Sequence, residues 1–254
     1  QEAKAALSVD PNSVEAVVLL AHAYYFRKLY DTAGVLLDRV LNSGVEVVKQ
    51  RAQKDADLYY VYGLVFDKTN EPARATLAFE TAVKLEPDHK NAMANLAVHY
   101  LHDSRYAEAR DLCQRLTGAL NMRTAATFTN LGSSLRGLSA SEAAGNRNQL
   151  LTDAESAYKR AIDIDKNYAI AYYDLALLYM DAKPFPLGTG DMDELVRLDR
   201  AKTYFKEYRA LPGADIALVD GRLEAIDKAV KKEIKARKKA EDAAKKKEKG
   251  GDDW

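Results

Sequence analysis

Apolar side chains recur along this chain at spacings of three and four residues, the period of a helix with one buried face. Tyr59, Tyr62, Gly63 and Phe66 stand at i, i+3, i+4 and i+7, and Ala75, Phe79 and Ala82 form a second stripe before Pro87. Together they predict two helices packed side by side, with small residues at Gly63 and Ala75 where the backbones approach and large ones filling the seam. The same small-and-large order returns four more times. Val17, Leu20, Ala21 and Tyr24 precede Ala33, Leu37 and Val40; Met93, Leu96, Ala97 and Tyr100 precede Ala109, Cys113 and Leu116. Phe128, Leu131, Gly132 and Leu135 are answered only at Ala154, Tyr158 and Ala161, and Tyr172, Leu175, Ala176 and Tyr179 only at Ala201 and Phe205. Five helix pairs are therefore expected, followed by a helix carrying Ile216, Leu223, Ile226, Val230 and Ile234.

The spacing aromatic, Leu-Gly-like, Tyr-like, then Ala, Phe, Ala and Pro in the unit 56–89 resembles the tetratricopeptide repeat (TPR), with Tyr62 departing where that family usually has Leu. The resemblance covers roughly Val14 to Pro212. It implies an all-α fold, a right-handed TPR superhelix (α-solenoid) of about five helix pairs with a C-terminal capping helix, because each pair has an apolar face it cannot bury alone. The expected organisation is the end of a preceding repeat over 1–13, repeats over 14–55, 56–89, 90–124, 125–168 and 169–213, a capping helix over 214–235 and a Lys-rich tail over 236–254.

Three stretches break the frame. About eight extra residues fall around Glu46 to Asp55, and about ten around "SASEAAGNRN" in the fourth pair. In the fifth, "KPFPLGTGDMDEL" (Lys183 to Leu195) puts Ala201 thirteen residues beyond Gly188, where the frame expects a small residue. Pro184 and Pro186 are expected to end a helix, Gly188 and Gly190 to turn the chain, and Asp191, Asp193 and Glu194 to start the next helix. The stretch reads as an insertion rather than a phosphate cradle or a calcium loop, and the two later insertions as a second interaction edge.

The resemblance also implies that the first helix of each pair lines a concave groove for a protein or extended peptide. Carried over position by position, the groove presents Val18, His22, Tyr25 and Phe26; Tyr60, Val61 and Leu64; Asn91, Asn95 and Val98; Thr129, Asn130, Ser133 and Arg136; and Tyr173, Asp174, Leu177 and Met180. The cationic clamp by which chaperone-binding members hold a C-terminal carboxylate is replaced by Val18, Tyr60 and Ala94. Asn95 and Asn130 share one repeat position, and an amide that donates and accepts at once suits main-chain readout.

Composition narrows the chemistry. Basic and acidic residues balance at 38 each, yet from Lys228 to Lys249 eleven basic residues face four acidic ones, so the body is acidic and the tail basic. That tail is expected to be a solvated charge run. Cys113 is the single cysteine and stands at a core position. His99 and His102 beside Asp103 are read as a helix-end polar cluster, and His22 and His89 as isolated. Neither a nucleophile elbow nor a Walker, HExxH or dinucleotide pattern is present, so a non-catalytic interaction scaffold assembling a multiprotein complex is expected. No cofactor, metal, small-molecule substrate or nucleic acid is foreseen, and a membrane only through a removed lipid anchor or the basic tail. The alternative is a regulatory or targeting module of a longer enzyme. "DMDELVRLDRAKTYFKEYRAL" with the Lys-rich tail resembles TPR lipoproteins of the bacterial envelope, including those of gliding-motility machinery, which implies a periplasmic, outer-membrane-associated setting over a cytoplasmic one. The chain begins at Gln1, which leaves a removed targeting segment open.

Overall fold

The computed structural model describes residues 2–141, 144–188 and 190–249. They fall into two compact units, residues 1–122 and 123–254. The sequence expectations resting on Glu142, Ala143, Thr189 and residues 250–254 lie outside the described residues.

In the first unit α1 (Glu2–Val9) leads into three helix pairs: α2 (Val14–Phe26) with α3 (Tyr30–Leu41), α5 (Ala56–Lys68) with α6 (Pro72–Leu85), and α7 (Lys90–His102) with α8 (Tyr106–Thr117). Side chains start the leading helices. Ser13 accepts from the Ala16 amide, Asp55 from Leu58 and His89 from Ala92, each satisfying one orphan donor for about 1 kcal/mol. Leu37, Leu58, Phe79, Met93 and Leu116 are fully buried, as is Cys113. A fully buried side chain of this size contributes roughly 1.5–3 kcal/mol by leaving water.

The repeat reuses its fastenings. Arg39 donates to the Pro11 carbonyl and Arg115 to the Pro87 carbonyl, 28 residues upstream and at 2.9 Å in both cases. The turn from first to second helix places Lys28, Asn70 and Ser104 in the left-handed region, with φ of 61°, 62° and 59°. The extra residues after the first pair, expected as linker, are instead the short helix α4 (Glu46–Ala52). It forms because Val48 and Ala52, four apart, find a buried seam against α3.

The second unit holds α9 (Ala125–Ser139) with α10 (Ala144–Ile164), α11 (Ala169–Asp181) with α12 (Glu194–Arg209), and α13 (Ile216–Lys249) packed on α12. The fourth pair's insertion is largely absorbed into helix: α10 has 21 residues, and its early turns bury Leu150 and Leu151. The stretch from Lys183 leaves α11 and folds into a two-residue hairpin, β1 (Pro186–Leu187) and β2 (Gly190–Asp191), with Gly188 at φ 59°. Phe185 and Met192 flank it and are buried, and the Met192 amide donates to the Phe185 carbonyl at 2.7 Å. The insertion is thus anchored by its own apolar ends. Asp193 caps α12. In α13 Val219 and Ile226 are buried, while beyond Ile234 the helix continues to Lys249, exposed over residues 235–245 and tied back by Arg237 to Asp193 at 2.6 Å.

Candidate functional site

The face worth building up in the first unit lies on the leading helices. His22, Tyr25 and Phe26 occupy i, i+3 and i+4 of α2 and so share one side. The His22 ring lies 4.7 Å from Phe26, 6.4 Å from Tyr25 and 6.0 Å, edge-on, from Tyr60 of α5. Beneath that face the Tyr60 ring packs on two buried rings, His89 at 5.0 Å and Phe79 at 6.2 Å. Phe26 is 73% exposed, and Leu19 and Val98 are also exposed apolar residues on leading helices. An exposed Phe26 ring flanked by the half-buried rings of His22, Tyr25 and Tyr60 is the kind of apolar surface a protein keeps for binding. Burial lowers the His22 pKa from its ordinary value, with the Asp57 charge opposing, so the imidazole is neutral near neutral pH and behaves as an aromatic surface. Burial likewise raises Tyr25 and Tyr60, which remain phenols.

Two carboxylates of α5 border these rings, one held by His89, the N-cap of α7, and the other by His99 within it. Asp57 bonds His89 Nε2 at 3.0 Å. His89 Nδ1 accepts the Ala92 amide at 3.1 Å, so the ring proton sits on Nε2 and is donated to Asp57. Asp67 lies 3.0 Å from His99 Nε2, whose Nδ1 meets the Thr76 hydroxyl at 2.9 Å. Neither His89 nor His22 is isolated, and His99 turns to α5 and α6 rather than to His102 and Asp103. These corrections share one cause. A helix-spacing argument sees neighbours along one helix, whereas histidines at these positions reach the adjacent pair.

Other expected groove residues fare unevenly. Val18, Val61 and Leu64 are buried beneath the surface, because their positions on α2 and α5 point into the seam with neighbouring helices. Asn91 is exposed, and Asn95, half-buried, donates its amide to the Asn91 carbonyl of its own helix at 2.8 Å. In the second unit Ser133 donates to Asp174 at 3.1 Å and lies 3.1 Å from the Tyr158 hydroxyl, joining α9, α10 and α11. Burial raises the Asp174 carboxyl, opposed by Arg136 and the Ser133 bond. Asn130 and Leu177 are half-buried, Thr129 is buried with its hydroxyl unpartnered, and Tyr173 packs on Phe205 and Tyr208 at 5.5 and 5.2 Å. Half-buried Met180 and Arg136, the latter 3.9 Å from Asp181, complete that set. Asp57 and Asp67 were missed by the sequence reading, though they flank the named Tyr60 and Leu64 on one helix, and His89 and His99 were named without these partners.

On the opposite side of the first unit, Tyr62 donates to Asp38 and Arg74 lies 4.0 Å above the Phe66 ring, lining a cleft of about 350 Å³ with Leu41, Tyr59 and Leu77. The phenol at position 62 is thereby satisfied, which accounts for its departure from the usual Leu. Among the described residues no group of three His, Cys, Asp or Glu could hold a metal, and no helix is long and apolar enough to cross a membrane.

Stacked helix pairs whose leading helices carry an open aromatic face define a helical-repeat protein. The tetratricopeptide-repeat family model matches residues 60–121, and the fold is that of a TPR solenoid. Its fold is similar to that of YrrB, described as a TPR protein with an unusual peptide-binding site, with a TM-score of 0.62 at 14% identity over 87% of this chain and 98% of that one. It is also similar to PilW, a type IV pilus biogenesis factor, with a TM-score of 0.61 at 18% identity over 84% of each chain. In sequence, 132 residues are 28% identical to the probable UDP-N-acetylglucosamine--peptide N-acetylglucosaminyltransferase SPINDLY of Hordeum vulgare; the match takes in 50% of this chain and 13% of that protein's length.

Proposed function

We propose that this chain is a non-catalytic scaffold that holds an extended segment of a partner protein along the leading helices, and that this contact assembles a multiprotein complex. The observation that carries the reading is the continuous face of His22, Tyr25, Phe26 and Tyr60, with Phe26 73% exposed. Asn91, Asn95 and Val98 extend it along α7 of the same unit. Taken by itself, the second unit offers Asn130, Ser133, Tyr173, Asp174 and Leu177 on its own leading helices. The likeness to YrrB, whose description names a peptide-binding site, supports the same reading. The test is a Phe26→Ala, Tyr60→Ala chain in cross-linking pull-downs from the native cell. Loss of captured partners with an unchanged helical circular-dichroism signal is expected; an unchanged set of partners would sink the proposal.

The match to part of SPINDLY favours a second reading, a TPR module within a longer enzyme. A catalytic domain in the full native reading frame would establish it, and a frame ending near this chain would dismiss it. The envelope setting suggested by the fifth pair is tested by proximity labelling, where cytoplasmic neighbours alone would refute it.

A further inference from the structure

The aromatic face is not electrically neutral at its edges. Asp55, at the start of α5, has its carboxyl raised by burial, and the charges of Asp57 and Glu15 push it the same way. Three carboxylates from α2 and α5 therefore share one end of the face. Asp57 bonds His89 at 3.0 Å, and the His89 ring lies 5.0 Å from Tyr60, so the carboxylate sits beside the ring row and its charge is felt at His22 and Tyr60. The Ala92 amide occupies His89 Nδ1, so Nε2 meets Asp57 and orients its carboxylate, 72% of whose side chain stays exposed. A cation felt at Tyr25, Lys68, stands eleven residues beyond Asp57 along α5, about 16 Å of helix rise away. That exceeds the screening length of roughly 8 Å in physiological salt, so Lys68 does little to neutralise the Asp57 end.

Rings next to an oriented, exposed carboxylate favour one kind of side chain. A guanidinium or ammonium can lie over the His22 and Tyr60 rings while its donors meet Asp57, and both contacts weaken for any neutral or anionic group. Arg fits better than Lys because its plane stacks and its donors are paired. We propose that the segment bound by the first unit is basic, with an arginine or lysine placed between Asp57 and the His22 and Tyr60 rings and an apolar neighbour against Phe26. This rests on the peptide-scaffold reading above and adds the chemistry of the partner.

The test uses fluorescence anisotropy of the full chain with labelled short peptides in which leucine alternates with arginine, glutamine or glutamate. The arginine peptide is expected to bind on the order of fivefold tighter than the glutamine peptide, and the glutamate peptide weaker still, with the preference shrinking in high salt. Asp57→Asn, which keeps an acceptor for His89, should weaken the arginine peptide about fivefold so that it binds no tighter than the glutamine peptide, and an arginine preference kept in that variant would overturn the assignment to Asp57. Equal binding of arginine and glutamine peptides, both lost in Phe26→Ala, Tyr60→Ala, would overturn the charge inference and leave the scaffold reading standing. If no peptide binds, or the double substitution changes nothing, both fall.

Discussion

Gly63 and Phe79 meet so closely that a methyl group on the glycine would lie 2.6 Å from Cδ1 of the ring. Gly132 and Tyr158 repeat the relationship in the second unit, at 2.7 Å from Cε1. Both rings are fully buried, so neither can swing aside into solvent. Gly63→Ala gains helix propensity of up to about 1 kcal/mol but forces overpacking that typically costs 1–3 kcal/mol. A lower melting temperature is expected, with partial recovery when Phe79→Leu is added. Additive losses in that double-mutant cycle would show that the two positions do not compete for space.

Lys28 and Ser104 occupy left-handed turns that cost a side-chain-bearing residue roughly 1 kcal/mol, whereas glycine enters that region freely. Lys28→Gly and Ser104→Gly are each expected to stabilise the first unit by about 0.5–1 kcal/mol in urea unfolding. Destabilisation would mean the turn strain is offset by side-chain contacts.

Arg197 is 2% exposed and donates to the carbonyls of Tyr179 and Met180, with Glu194 at 2.9 Å holding its other nitrogen. It closes the end of α11 just before the prolines prevent the helix from continuing. Lysine carries the charge but cannot fork to two carbonyls and a carboxylate, so Arg197→Lys should cost about 1–3 kcal/mol. An unchanged unfolding midpoint would argue that the prolines and hairpin alone hold that end.

Asp174 gives a pH signature. Its folded pKa is raised above the ordinary 3.8, so folding favours the protonated form; the stability is fully present below 3.8 and lost as pH rises through the folded value. Asp174→Asn keeps an acceptor for Ser133 and removes the buried charge. The variant should melt higher than the parent near neutral pH and lose that advantage below pH 3.8. A variant less stable near neutral pH would show that Arg136 more than offsets the burial.

The helix pairs were readable because their signals are local: period, small residues at close approaches such as Gly63, and prolines such as Pro184 that stop a helix. The candidate site was legible only in part. His22, Tyr25 and Tyr60 are half-buried beside exposed Phe26, whereas Leu64 and Val61 belong to the seam, since adjacent helical positions divide between surface and core by a rotation that spacing alone does not resolve. The reading of Glu46 to Asp55 as linker missed α4 because a seven-residue helix has little propensity to form unaided and is stabilised by α3.

By itself the sequence determined the helical repeat, its stacking seams and the place where the fifth pair is interrupted, because each depends on residues within a few turns of one another. Tertiary structure decided the rest. Asp57 meets His89 and Asp67 meets His99 across 32 residues each, and Phe185 with Met192 turns the interruption into a packed hairpin. Those pairings exist only once neighbouring helices fix which faces meet, and they set the charge and shape of the face on which the proposed partner would lie.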